Sequence, residues 1–108
     1  MTDSDCVVVL TSLPLSVDAG SFGRSLIEER LAACVNVYSV MSSVYRWQGS
    51  ISEERERPIV IKTVAEHVPA LEAHLRAQHP YEVPEFLVLP VAAGGEAYLA
   101  WIRESTRV

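Results

Sequence analysis

Apolar residues fall in two rhythms along this chain of 108 residues. Cys6-Val7-Val8-Val9-Leu10 is an unbroken apolar run, short enough for a strand buried on both faces. Thr11 to Leu15 reads as a loop, and Ser16 is placed to cap a helix. From Val17 to Arg30 the rhythm changes: Ala19, Phe22, Leu26 and Ile27 recur at helical spacing, with Glu28, Glu29 and Arg30 on the solvated side. Ala33 to Gln48 is rich in Val, Tyr, Ser and Trp, with no Pro or Gly. Ile51 to Val64 then runs back through Glu53-Glu54-Arg55-Glu56-Arg57 into Ile59-Val60-Ile61. The pair predicts one long hairpin turning at Gly49, with Pro58 confined to an edge or a bulge.

The hairpin's length carries a consequence. Arms of about 14 residues at roughly 3.3 Å each reach about 46 Å, whereas a domain of this size has a radius of gyration of about 13 Å. Mean strands run to about 5–6 residues, so these arms bend or project beyond their own domain. A projecting hairpin offers an edge to another chain and is read as an assembly arm, with the charged run protecting part of it.

A second helix is predicted over Glu66–Gln78, with Pro69 tolerated in its first turn and Val68, Leu71 and Leu75 as its buried stripe. It must stop there, because Pro80 drives His79 out of helical geometry. The link His79-Pro80-Tyr81-Glu82-Val83-Pro84-Glu85 is stiff. Extended throughout, it sets His79, Tyr81, Val83 and Glu85 on one side. Phe86 to Val91 follows as a strand and Gly94-Gly95 as a turn. Tyr98, Trp101, Ile102 and Ser105 lie at the spacing of a short terminal helix. The order β-α-β-β-α-β-α is α+β and suits a ferredoxin-like split βαβ sandwich with a long hairpin between its second and third strands and a C-terminal helix. All of it is expected to form one domain, residues 1–108.

Composition narrows the class. The chain is 49% hydrophobic and 21% charged, as globular domains are. A net charge of −5 argues against nucleic acid and anionic membranes as partners. No apolar run approaches the ~20 residues of a membrane span. The first residues do not read as a secretory signal, and two cysteines make neither a disulfide framework nor a CxxC pair. A cytoplasmic protein is expected.

Five segments together resemble the CutA family of divalent-cation tolerance proteins. They are Glu28-Glu29-Arg30-Leu31-Ala32-Ala33-Cys34-Val35-Asn36, Tyr45-Arg46-Trp47-Gln48-Gly49, Ile61-Lys62-Thr63, the link from His79 to Glu85, and Tyr98-Leu99-Ala100-Trp101-Ile102. They occur in the family's order, and the resemblance covers roughly Val7 to Ile102, nearly the whole chain. The resemblance implies a ferredoxin-like homotrimer with sheets extending between subunits, a role in tolerance of copper and other divalent metals, and no established enzymatic reaction. At two positions where metal ligands have been proposed in the family, this chain holds Thr11 and Gln78. Glu85 is retained.

The candidate chemistry follows. His79 and Glu85 are the best available pair of metal ligands, suited to Cu²⁺ or another divalent cation and open to completion by a neighbouring subunit. His67 and His74 lie about 10 Å apart on a helix and cannot share an ion; they read as a solvated face. Cys6 and Cys34 read as small buried residues. A different class of function is a trimeric signalling or scaffold module, analogous in architecture to PII proteins. It would hold a small anionic ligand or protein partner at subunit clefts through Arg46, Trp47, Lys62 and Tyr81. Enzymes are not expected: there is no Gly-rich phosphate loop and no nucleophile–histidine arrangement.

Overall fold

The structure, a computed structural model, describes residues 5–108. Its elements are β1 (Cys6–Pro14), α1 (Ala19–Glu28), β2 (Cys34–Val37), β3 (Met41–Trp47), β4 (Ser50–Val64), α2 (Val68–Gln78), β5 (Leu87–Pro90) and α3 (Glu96–Ser105), with one 3₁₀ turn at Ala65–His67. The antiparallel sheet runs β2-β4-β1-β5, and β3 continues the β2 edge along β4. β4 therefore lies between the two strands that α1 connects, which is the split βαβ order expected from the element sequence.

β1 continues through Thr11–Pro14, where a loop was expected. β4 supplies backbone partners along that whole stretch, from Thr11 opposite Ile59 to Pro14 opposite Glu56, so its polar groups are satisfied in a ladder. The helix cap moves accordingly. Asp18, not Ser16, is the N-cap of α1, accepting the Ser21 N–H at 3.0 Å.

The expected single arm over Ala33–Gln48 is two strands, and Pro58 explains the break. Even-numbered residues of β4 turn their backbone toward this arm: Lys62 O accepts from Ala33 N–H and Pro58 O from Tyr38 N–H. Pro58 has no N–H to return, and its nitrogen falls opposite the interruption between β2 and β3.

α1 and α2 cover one face of the sheet. Phe22 and Leu26 of α1 and Leu71 and Leu75 of α2 pack with Val7, Val9, Leu13, Ile59 and Ile61 into the main core. Ile27, assigned to the buried stripe, is exposed. The opposite face is covered at one end, where Ile102 and Leu99 of α3 meet Cys6 and Val64. Beyond that end, Val8 and Leu10 share this face with Val60, Leu87 and Leu89 by register. β1 is thus not buried on both faces within one chain: Val8 and Leu10 are half-buried.

Ser50–Arg55 of β4 pair with β3 past the end of β1, so the two strands leave the sheet as a ribbon. Gln48 and Gly49, both at positive φ (51° and 84°), close it in a two-residue turn. The chain is 45 Å in its longest dimension. No helix among the described residues is long and apolar enough to cross a membrane.

Candidate functional site: an acidic cleft at the root of the ribbon

A cleft of about 520 Å³ opens where the ribbon leaves the sheet, between β3 and the link after α2. Alternation along β3 turns Ser43, Tyr45 and Trp47 into it, β4 contributes Glu56 and β1 contributes Ser12. Tyr81 to Glu85 form the facing wall.

Two side-chain contacts fasten that wall to β1. The ring of His79 is buried, and its Nδ1 accepts the Tyr81 N–H at 3.1 Å. The remaining proton must then sit on Nε2, which donates to Ser12 O at 2.8 Å. Thr11 Oγ1 donates to Glu85 O at 2.6 Å. Between these clamps the link bends at Tyr81–Val83 and so is not extended throughout, although Pro80 does hold His79 in the expected extended conformation (φ −90°, ψ 129°). The bend brings the Tyr81 ring against His79, centroids 4.7 Å apart.

Electrostatics give the cleft its character. Among the described residues lining it, every charged side chain is a carboxylate: Glu56, Glu82 and Glu85. Glu56 is buried and its Oε1 accepts from Ser43 Oγ at 2.7 Å. The cleft walls strip water from Glu85 and push its pKa up, and the nearby charge of Glu56 adds to the shift. Burial raises the Tyr81 phenol as well, with the Glu56 charge the next cause.

The structure brings Trp47, Tyr81 and Glu85 together in this cleft and leaves other candidates outside it. His79 stands behind Tyr81 with both nitrogens engaged by backbone. Lys62 lies on the partly open sheet face, where its ammonium donates to Asn36 Oδ1. Arg46 falls between Tyr45 and Trp47, so alternation turns it to the other side of the ribbon. His67 Nε2 meets Thr106 O at 2.7 Å, and His74 Nε2 stands 3.0 Å from Ser25 Oγ and 2.8 Å from the Gln78 amide nitrogen. These two histidines tie α2 and the turn before it to neighbouring helices, which corrects their assignment to a solvated face. Cys34 Sγ lies 3.7 Å from Asn36 Oδ1.

Sequence reasoning missed Glu56, which stood in a run read as solvated. Period-two counting back from Val60 and Pro58 puts Glu56 on the sheet face that continues into the cleft.

Tested for a divalent cation, one chain supplies an incomplete donor set. Among the described residues no three His, Cys, Asp or Glu side chains stand together to hold an ion. The Glu56–Glu85 pair with the Ser43 and Tyr81 oxygens is a hard, oxygen-rich set, distinct from the nitrogen and sulfur ligands that favour copper.

Solved structures place this architecture among small α+β proteins of divalent-cation tolerance. The Thermus thermophilus divalent cation tolerance protein superposes with a TM-score of 0.90 at 43% identity, covering 94% of this chain and 99% of that one. CutA1 from Oryza sativa gives 0.89 at 39% identity, covering 99% and 98%. The divalent-cation tolerance protein CutA of Thermus thermophilus is 44% identical over 99 residues, 92% of this chain and 96% of that protein. The human protein CutA is 46% identical over 88 residues, 82% of this chain and 49% of its own length. The family described as CutA1 divalent ion tolerance protein matches residues 7–105, and the chain belongs to it.

Proposed function

We propose that this protein is a non-enzymatic homotrimer that contributes to divalent-cation tolerance in the cytoplasm by taking up a cation at the acidic cleft. The observation that carries the reading is the pair Glu56 and Glu85. Two carboxylates crowd one partly dehydrated cleft, with no cation among its described lining residues, and a bound cation relieves their repulsion. Family membership supplies the biological setting. Trimeric assembly is supported by the projecting ribbon and by the uncovered part of the sheet face, and a neighbouring copy would supply the donors that one chain lacks. The anion-binding alternative draws no support from the cleft, since Arg46 and Lys62 point elsewhere.

Mn²⁺, as a probe of oxygen donors, is the first cation to test, followed by Cu²⁺, which the family resemblance suggests. Native mass spectrometry should show a species of about 36 kDa, three chains of 11.9 kDa each. It should take up about one divalent ion per chain, and Glu85→Gln should weaken uptake about tenfold or more. A monomer, or uptake indifferent to Glu85→Gln and Glu56→Gln alike, overturns the proposal.

A further inference from the structure

Three aromatic side chains line the cleft with the carboxylates, and a bare metal ion could use only the Tyr81 oxygen among them, not the ring faces. Tyr45 and Trp47 lie two residues apart on β3, so both rings project from the same side of the ribbon. Tyr81 faces them from the link, and the buried ring of His79 behind it holds it in place. The carboxylates are also held. Ser43 orients Glu56, and Thr11 pins the backbone of Glu85. Val83 and Pro84 add apolar wall. The volume, about 520 Å³, is that of a small-molecule site and far above the ~30 Å³ share of one water.

We propose that the cleft receives an organic ammonium cation, its charged nitrogen between the Glu56 and Glu85 carboxylates and against the Tyr45, Trp47 and Tyr81 rings, its alkyl body along Val83 and Pro84. This rests on the reading that the cleft takes a cation and specifies the chemistry of that cation. Aromatic faces attract alkylated ammonium through their negative quadrupole, most strongly where water is excluded. Carboxylates supply the counter-charge and accept whatever N–H groups the ligand carries. An inorganic ion satisfies the oxygen donors and leaves the aromatic faces of Tyr45, Trp47 and Tyr81 without a role. An anion meets repulsion from all three glutamates.

The test uses the full chain in its assembled state, titrated calorimetrically with n-butylammonium and with tetramethylammonium chloride against a sodium chloride control, alongside Mn²⁺ and Cu²⁺. The expected result is saturable binding of at least one ammonium probe. Trp47→Leu should weaken it about tenfold while leaving metal uptake unchanged. Glu85→Gln should weaken both. Tyr45→Leu provides a second aromatic variant should Trp47→Leu disturb assembly, as checked by native mass spectrometry. Stronger butylammonium binding makes the carboxylate hydrogen bonds dominant and stronger tetramethylammonium binding makes the rings dominant; either supports the proposal. Metal uptake without ammonium binding overturns it and leaves the cation reading standing. Loss of both overturns both. Ammonium binding indifferent to the aromatic substitutions also overturns it, because the rings would then play no part.

Discussion

A buried polar group left without its partner costs about 1–3 kcal/mol, and His79 serves two such groups, the Ser12 carbonyl and the Tyr81 amide. His79→Ala should therefore lower stability by at least that amount in urea unfolding, while the protein that remains folded keeps the metal uptake proposed for the wild type. Loss of uptake at unchanged stability would instead make the imidazole a ligand. Glu85 obeys the opposite logic. Its pKa is raised in the folded chain, so folding favours the protonated form, and stability falls as pH climbs through the unfolded value toward the folded one. Glu85→Gln removes that loss. The variant should melt higher than the wild type near pH 7, with the difference shrinking toward about pH 4; a constant difference would deny the shift. At this scale the sequence was partly legible. Two prolines announced a rigid link bearing His79, Tyr81 and Glu85. Nothing local announced that Thr11 and Ser12 would anchor it, because that pairing spans more than sixty residues.

Among the elements, helices and strands were legible wherever one local signal settled them: Pro80 ends α2 at Gln78, and the apolar rhythm of Phe22, Leu26, Leu71 and Leu75 marks both core helices. The break between β2 and β3 was not, since its cause is Pro58 on the partner strand. The ribbon turn is the most sensitive short segment. Gly49 sits at φ 84° with open space around a would-be Cβ, so only the backbone conformation opposes substitution there. Gly49→Ala should cost about 1–2 kcal/mol. Gln48, also left-handed at φ 51°, should be improved by Asn, the residue this turn prefers at that position. Thermal denaturation of the two variants reads both effects, and equal melting temperatures for Gly49→Ala and wild type would contradict the turn geometry. Gly23 marks a different constraint. A Cβ there would stand 3.1 Å from Val35, so α1 approaches β2 as closely as it does because this residue has no side chain.

At the scale of the molecule, two exposed apolar surfaces bear on the proposed assembly. A two-stranded ribbon standing alone is marginal in water, and this one exposes Val44 and Ile51 by 65% and 71%. Leu87 and Leu89 are half exposed on the sheet face that α3 leaves open. In the proposed homotrimer either surface could meet a neighbour, and a charge placed on each separates the two. Leu89→Glu adds a carboxylate that a single chain can hydrate, so circular dichroism should show a folded protein. In a closed trimer the same substitution is repeated by symmetry at every subunit, and each buried unpaired charge costs several kcal/mol. Leu89→Glu should therefore run as a folded monomer in native mass spectrometry if the sheet face is the contact, and Ile51→Glu if the ribbon is. A trimer that survives both substitutions would place the contact on another surface, and a wild type that runs as a monomer would leave the cleft without a partner subunit. In that last case the proposed cation would rest on the donors of one chain, Glu56 and Glu85 among them.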